Sequence, residues 1–394
     1  MNIVIICNHI LPFTNEPIGG AEKLIYSLAK NFTLQNHNVK IFSRTQEGIK
    51  GDKLYNQIKY EFVGPNVGNY KFSKLFRELL FSYKIYKKVK NIDCDVVLAF
   101  HYASLFFSKS LKKKCIYYPF HDSFTETGTK IRRRNNQTKF GLIKSFFSEQ
   151  IHLFLLKQCL KKSEIVLTEG GFQNEMMINK KFFHPNLVEF GVSIDIDAIT
   201  GVVSAEKNLL NVNHDFFNII TVNRLEPVKG NDLLIKAFSL LQSRIPKCRL
   251  YIVGDGSEME YLKTLVKETN LQDRIYLMGR LNEEEMYNLV YQCHLYVSPT
   301  FHEDWVMGIA EAMALGKPII STGQKWLVKD SENGFIAKIG DYESLCDKIL
   351  QYFNLDNHQK FIFSQNSKTF VKEYDIKSLS HKFIKIVTEQ ILNS

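Results

Sequence analysis

Residues 300–316 read Thr300-Phe-His-Glu-Asp-Trp-Val-Met-Gly-Ile-Ala-Glu-Ala-Met-Ala-Leu-Gly316 and follow an apolar run typical of a buried strand. The two glutamates of this stretch, Glu303 and Glu311, have seven residues between them. Small apolar residues surround Glu311, which is typical of a helix packed inside an α/β layer. Burying a charge there without partners would cost several kcal/mol, so we interpret Glu311 as an acceptor for vicinal ligand hydroxyls. We expect Glu303, in the preceding loop, to face the same cleft. The alternative is an edge helix with a solvated glutamate.

Short apolar strands alternate with helical patterns along the whole chain, which predicts an α/β protein with parallel sheets. Its 394 residues suggest about two domains. The weakest periodicity lies in Asp195–Asp215, where we place the linker between two doubly wound domains. Ligands of such folds bind at the carboxyl ends of strands, and a cleft between two facing domains is the default site. The predicted strands are Asn2–Cys7, Asn38–Ser43, Asp95–Ala99, Cys115–Pro119, Glu164–Thr168, Phe217–Val222, Arg249–Gly254, Ile275–Met278, Leu295–Pro299 and Pro318–Ser321.

Composition bounds the class of protein. An apolar content of 45% with 23% charged residues is that of a soluble globular chain. The seven cysteines have no paired short spacing, which predicts neither a zinc site nor a disulfide framework and favours a reducing compartment. Met1–Cys7 has the pattern of a first strand rather than of a signal peptide, and no apolar run approaches the roughly 20 residues of a membrane span. We therefore expect a cytoplasmic protein.

Positive charge is concentrated in the first half. Residues 1–200 carry 29 basic and 17 acidic side chains, whereas residues 201–394 carry 22 and 24. The basic run at 132–134 precedes an apolar helical pattern over 142–160. This combination fits either an anionic membrane surface or a helix packed on its own sheet, and both remain open. No motif that reads nucleic acid accompanies the basic residues, so we expect no nucleic-acid partner.

A second motif, Asn223-Arg-Leu-Glu-Pro-Val-Lys-Gly230, directly follows a predicted strand and precedes a helix. The cations Arg224 and Lys229 would meet the free N–H groups of a helix N-terminus there, which predicts a site for a diphosphate. The alternative is that both are solvated loop charges.

Weaker signals lie elsewhere. Gly19 and Gly20 precede the first helix and would let backbone N–H groups approach a phosphate or sugar. His121 follows a predicted strand and would face the cleft, although a lone histidine is more often structural. Gly254-Asp-Gly256 follows another strand, but Met259 occupies the place of the third glycine of a dinucleotide fingerprint. NAD binding is therefore disfavoured.

Together these motifs resemble family 4 of the retaining, GT-B-fold glycosyltransferases over nearly the whole chain. Residues 303–316 resemble the family's Glu-x7-Glu motif, and residues 224–230 resemble its Arg-Leu-x-x-x-Lys-Gly motif. Gly19-Gly20-Ala21-Glu22 and His121-Asp122 resemble its first-half motifs.

The resemblance implies two Rossmann-like domains, at 1–200 and 201–372, facing across a cleft. A final helix within 373–394 would cross back onto the first domain. The first domain would take the acceptor and the second the nucleotide sugar, with neither metal nor cofactor.

The resemblance also implies a role for each candidate residue. Arg224 and Lys229 would hold the donor diphosphate, and Glu311 the ribose hydroxyls. Glu303 would contact the donor sugar, and His121 would approach the reacting centre; with Arg224 and Lys229 they form the predicted catalytic set. The remaining donor contacts implied are Gly19, Gly20, Arg280, Leu281, Val306 and Met307.

The resemblance implies a retaining transferase that moves a hexose or N-acetylhexosamine from a nucleotide sugar to a growing bacterial surface glycan or glycolipid. A UDP-sugar is favoured over a GDP-sugar. Asp304 and Val306 depart from the family's usual Glu-Gly-Phe-Gly, which makes the alternative a non-catalytic GT-B partner subunit of a glycosyltransferase complex.

Overall fold

The computed structural model describes residues 1–7, 20–44, 52–64, 74–100, 102–107, 114–119, 139–169, 177, 182–203, 210, 212–301, 306–323 and 326–392. This part of the chain divides into two compact units, each with its own sheet. Within the described ranges, the first unit takes residues up to 119, 139–193 and 376–392, and the second takes 194–375.

The first unit is built on an eight-stranded sheet in the order β3-β4-β2-β1-β5-β6-β7-β8. Neighbouring strands are parallel except for β3 and β4, which form an antiparallel edge pair. The central strands are uninterrupted apolar runs because helices cover both faces of a parallel sheet. The strands are β1 Asn2–Ile6, β2 Asn38–Arg44, β3 Lys53–Tyr55, β4 Ile58–Val63, β5 Val96–Phe100, β6 Lys114–Tyr118, β7 Ile165–Thr168 and β8 Leu187–Glu189.

The end of the chain packs on the first unit. Its last α-helix, Ile376–Val387 (α11 in chain order), contacts the first helix through the rings of Phe32 and Phe383, 4.9 Å apart. Gln35 also donates a hydrogen bond of 2.7 Å to the Ser380 hydroxyl. The helices of this unit are α1 Gly20–Leu34, α2 Lys74–Val89, α3 Lys139–Lys162 and α11, with short turns at Ala103–Phe106 and Thr388–Leu392.

The second unit is built on a six-stranded parallel sheet in the order β11-β10-β9-β12-β13-β14. Counted within the unit this is 3-2-1-4-5-6, the doubly wound order in which connections leave in opposite directions from β9 and β12. The carboxyl ends of β9 and β12 are therefore the topological switch point. The strands are β9 Phe217–Val222, β10 Cys248–Val253, β11 Ile275–Gly279, β12 Leu295–Ser298, β13 Ile319–Ser321 and β14 Gly334–Ile336.

Two apolar layers lie on the faces of this sheet. Ile219 and Ile220 are both fully buried and point to opposite layers because side chains alternate along a strand. Helices α5, α6 and α9 contribute to one layer, and α4, α7 and α8 to the other. The helices are α4 Ile196–Gly201, α5 Asn231–Leu241, α6 Met259–Glu268, α7 Glu283–Gln292, α8 Met307–Ala314, α9 Tyr342–Phe353 and α10 Asn357–Phe370, with short turns at Pro227–Lys229 and Val371–Tyr374.

All ten predicted strands are present, each within one residue of its predicted ends. Four further strands, β3, β4, β8 and β14, were not predicted. The expected linker over Asp195–Asp215 contains the short helix α4, which the Asp195 carboxylate caps by accepting a 3.0 Å hydrogen bond from the Ala198 N–H. Ile199 of this helix is buried in the second unit, whose boundary lies between residues 193 and 194. None of the described helices is long and apolar enough to cross a bilayer.

Candidate functional site

The candidate site lies at the carboxyl edge of the second sheet. Strands β11, β10, β9 and β12 are parallel neighbours, so the loops that leave them meet at one edge. The predicted residues of this unit that the structure describes lie on these loops or on the helices that follow them. Arg224 and Lys229 follow β9, Arg280 and Leu281 follow β11, and Val306, Met307 and Glu311 follow β12.

The loop after β9 is fixed by its backbone. The N–H of Leu225 donates to the Asp255 carbonyl at 3.0 Å, and the Leu225 carbonyl accepts from the N–H of Glu258 at 2.9 Å. The Leu225 side chain is fully buried. Its neighbour Arg224 is exposed, and Lys229 is half-buried at the end of the turn Pro227–Lys229. The apolar residue thus anchors the loop, while Arg224 presents its charge at the edge of the sheet.

Gly230 lets this loop approach the loop after β12. Its φ of 65° lies in the left-handed region, and a Cβ here would come 2.1 Å from the Pro299 carbonyl oxygen. Beside it, the Val228 carbonyl accepts hydrogen bonds from the Phe301 N–H at 2.9 Å and from the Thr300 hydroxyl at 3.3 Å. The lysine of the motif is therefore followed by the one residue type that permits this contact.

Two asparagines close the same loop, and the sequence motifs did not identify them. Asn231 donates to the Asn223 side-chain carbonyl at 2.9 Å, and Asn223 donates back at 3.2 Å. Asn231 is buried at the start of α5. Their positions at the two ends of the Arg224–Lys229 segment are the signal that could have identified them.

Helix α8 begins against the end of β9. A Cβ at Gly308 would come 2.3 Å from the Tyr296 hydroxyl and 2.9 Å from the Val222 carbonyl oxygen, so only glycine allows the first turn to lie this close. The helix is preceded by Val306, whose apolar side chain cannot cap it. The positive end of the α8 dipole therefore points into the same edge of the sheet as Arg224.

Glu311 lies in the second turn of α8 with only 9% of its surface exposed. This burial rules out the solvated edge helix. Its Oε1 accepts a hydrogen bond of 3.0 Å from the hydroxyl of Tyr287 on α7. Burial raises the pKa of the Tyr296 phenol well above its usual value, and the nearby Glu311 carboxylate raises it further. Sequence reasoning missed Tyr287, which lies among apolar residues of an amphipathic helix.

Arg280 and Leu281 connect β11 to α7. Arg280 is exposed, whereas Leu281 packs against the core beneath α7. Asn282 then caps α7 reciprocally with Glu285, the two hydrogen bonds measuring 2.9 and 3.2 Å. This capping box fixes where the helix starts and so positions the 280–281 backbone relative to Tyr287.

Two family patterns match the chain. Residues 203–370 match Glycosyl transferases group 1, and residues 18–166 match Glycosyltransferase Family 4. The chain belongs to the group 1 glycosyltransferases.

Relatives of this glycosyltransferase agree with that assignment. An uncharacterized glycosyltransferase of Haemophilus influenzae is 25% identical over 375 residues, covering 92% of this chain and 94% of that protein. The lipopolysaccharide core biosynthesis glycosyltransferase LpsE of Rhizobium meliloti is 23% identical over 192 residues, covering 48% of this chain and 55% of that protein. HepE of Anabaena, solved in complex with UDP, superposes with a TM-score of 0.74 at 17% identity over 98% of this chain and 100% of HepE. The fold of the glycosyltransferase is GT-B.

Three predicted site residues of the glycosyltransferase, Gly19, His121 and Glu303, lie outside the described residues. Gly20 is the first residue of α1, the helix that follows β1. In the first sheet β1 lies beside β5, and the connections diverge from this pair as they do from β9 and β12.

The contact at Gly230 predicts that alanine destabilises the protein more at this position than at Gly279. Gly230→Ala adds left-handed strain and a clash with Pro299, and we expect it to lower the free energy of unfolding by about 3 kcal/mol. Gly279 has a similar φ of 64°, but nothing lies within 4 Å of the place that a Cβ would take, so Gly279→Ala should lose only about 1 kcal/mol. Urea denaturation measures both. Equal losses would contradict the role of the Pro299 contact.

Proposed function

We propose that this glycosyltransferase moves a hexose or N-acetylhexosamine from a nucleotide sugar, with a UDP-sugar favoured, to a growing bacterial surface glycan or glycolipid. The transfer retains anomeric configuration and uses no metal. The observation that carries the proposal is that the Arg224–Lys229 loop follows β9 and the buried Glu311 lies on the helix after β12, the two strands of the switch point. Cations suit a diphosphate, and a carboxylate suits the hydroxyls of a ribose.

The leaving group determines which charges the site needs. Departure of a nucleoside diphosphate builds negative charge on the phosphate oxygens, and fixed positive groups stabilise that charge without reorganising. Arg224 and Lys229 supply the cations, and the N-terminus of α8 adds a partial positive charge. The hydrogen bonds of Leu225 and Val228 fix the backbone that carries the two cations. A metal ion would be redundant with this arrangement, which supports metal-independent transfer.

The nucleoside would lie beside the diphosphate. Glu311 would accept hydrogen bonds from the ribose hydroxyls, and the Arg280–Leu281 backbone would contact the base. Val306 and Met307 would line the donor at the start of α8. HepE, which shares the fold, was solved with UDP, and this supports a uridine nucleotide here.

The sugar and the reacting centre would involve Gly20 and three residues from outside the described ranges. Glu303 would contact the donor sugar, His121 would approach the reacting carbon, and Gly19 and Gly20 would bring backbone N–H groups near the donor. Retention would follow from attack on the face that the diphosphate leaves. These roles are carried over from the family motifs.

We propose the class of acceptor from the charge distribution of the chain and from the function of one of its relatives. The first half of the chain carries the excess of basic residues, which suits an anionic or lipid-diphosphate-linked acceptor. LpsE acts in lipopolysaccharide core biosynthesis, which supports a surface glycan or glycolipid.

A face of α3 suits an anionic membrane that would carry such an acceptor. Ile151 and Phe154 are 48% and 60% exposed, and Lys157 and Lys161 are exposed further along the helix. The spacing of three to four residues places all four on one side. Apolar side chains beside lysines are typical of a helix that lies in the headgroup region of anionic lipid.

A donor screen tests the function directly. Purified protein is incubated with UDP-, GDP- and ADP-sugars in the presence of EDTA, and release of the nucleoside diphosphate is measured. We expect slow hydrolysis of at least one hexose or N-acetylhexosamine donor, with a UDP-sugar the fastest. The anomer transferred to an added acceptor, read by NMR, tests retention. Absence of hydrolysis together with absence of UDP and GDP binding at millimolar concentration would favour the non-catalytic partner subunit instead.

The proposed role of Arg224 and Lys229 predicts that removing either cation lowers the turnover rate. Arg224→Ala and Lys229→Ala should each lower turnover about 100- to 1000-fold, because each removes one preorganised positive group from the leaving diphosphate. Lys263→Ala is the matched control, since it removes an exposed lysine on α6 that pairs with Glu260. It should retain parental turnover. Variants at 224 and 229 that remain within a few-fold of the parent would refute their assignment.

The α3 face predicts vesicle binding at low salt. Phe154→Ser should lower retention on vesicles containing anionic lipid about 10-fold, because a buried phenyl ring contributes roughly 1.5–3 kcal/mol. The matched control is Phe361→Ser, which alters an equally exposed phenylalanine, 60% in each case, in the second unit. Co-sedimentation measures both. Equal retention of all three proteins, or no retention of the parent, would exclude this face.

A further inference from the structure

The hydrogen bond from Tyr287 to Glu311 joins two helices inside the second unit. Tyr287 is 5% exposed and Glu311 is 9% exposed, so the 3.0 Å bond between them lies in the interior. A hydroxyl donor stabilises a buried carboxylate, and hydrogen bonds to charged groups are stronger than neutral ones. The bond therefore constrains the direction in which the carboxylate points.

The two helices come from two parts of the candidate site. Helix α7 starts at Glu283, one cap residue after Leu281, and Tyr287 lies about one turn from that start. Helix α8 starts after the loop that follows β12, and Glu311 lies one turn from its start. Both helices pack on the same face of the sheet, in the layer that contains Tyr296. The bond thus ties the carboxylate to the helix that follows the 280–281 backbone.

We propose that Tyr287 is a positioning residue that makes the site selective for nucleoside diphosphates with an intact ribose 2′,3′-diol. This rests on the proposed function, in which Glu311 binds the ribose and the 280–281 backbone meets the base. With the Tyr287 hydroxyl on Oε1, the carboxylate is held at a fixed place relative to the base contact. A nucleotide that lacks the 2′-hydroxyl loses a hydrogen bond that this carboxylate is oriented to accept.

A carboxylate can accept a hydrogen bond from Tyr287 and one from a ribose hydroxyl at the same time. Its two oxygens can accept about four hydrogen bonds, so one bond from Tyr287 does not saturate Glu311. Replacing tyrosine by phenylalanine removes the donor and keeps the ring that fills the core. The carboxylate then gains freedom to turn, and its hydrogen bond to a 2′-hydroxyl weakens while contacts to the diphosphate remain.

A merely structural tyrosine would behave differently. If its hydroxyl only satisfied a buried charge, Tyr287→Phe would lower the stability of the protein and would weaken the binding of all nucleotides by the same factor. The ratio of two affinities measured on one preparation is independent of the fraction of folded protein. That ratio therefore separates positioning from stability.

The test compares the dissociation constants of UDP and 2′-deoxy-UDP by isothermal titration, with the GDP and ADP pairs run in parallel. We expect the parent to prefer the ribonucleotide at least 10-fold, and Glu311→Gln to abolish most of that preference. Tyr287→Phe should reduce the preference about three- to tenfold and leave the affinity for 2′-deoxy-UDP nearly unchanged. The matched control is Tyr352→Phe, which removes a buried hydroxyl that donates to the His294 carbonyl at the opposite end of β12. Tyr352→Phe should keep the parental ratio of the dissociation constants of UDP and 2′-deoxy-UDP.

The outcomes separate the two proposals. One outcome is that Tyr287→Phe keeps the parental preference for the ribonucleotide while Glu311→Gln loses it. That outcome overturns the role of Tyr287 and leaves the proposed function standing. An unchanged ratio in Glu311→Gln overturns the ribose contact and the inference with it. A parent that binds none of the six nucleotides at millimolar concentration overturns both.

Discussion

The loop after β9 is held against its neighbours by backbone contacts, and the rest of the site depends on this. Val228 accepts hydrogen bonds from the β12 loop, Leu225 exchanges them with the β10 loop, and Gly230 lies against Pro299. Backbone groups make most of these contacts, so the shape of the loop depends on the glycine that lets the two loops lie together. The loop then holds the exposed side chain of Arg224 at the edge of the sheet.

Glu311 shows the complementary situation, in which a polar side chain belongs to the core and to the site at once. The surrounding residues of α8 are buried and apolar, so its carboxylate needs donors. Tyr287 supplies one, at the cost of tying α7 to α8. In the role inferred for Tyr287, stability and selectivity would share this single hydrogen bond.

Much of the fold could be predicted from sequence because buried parallel strands are apolar on both faces. Three of the missed strands, β3, β8 and β14, have three residues each and lie at sheet edges; β3, for example, has three exposed residues and pairs on one side only. The fourth, β4, has six residues and pairs on both sides. In the candidate site, the sequence singles out Arg224 and Glu311 as candidates because charges stand out next to apolar runs. Tyr287 and Asn231 were not, since their partners lie 24 and 8 residues away and only the fold brings them together.

The last helix gives the chain an unusual order of assembly. Phe32 near the amino terminus packs against Phe383, and the intervening second unit is contiguous from residue 194 to 375. Ile194 donates to the Tyr374 carbonyl at 2.9 Å, so the polypeptide enters and leaves that unit at adjacent points. A ribosome therefore completes the second unit before it releases the helix that finishes the first. During synthesis the surface around Phe32 therefore stays exposed until the last helix has been made. Chaperones bind exposed apolar surface of this kind.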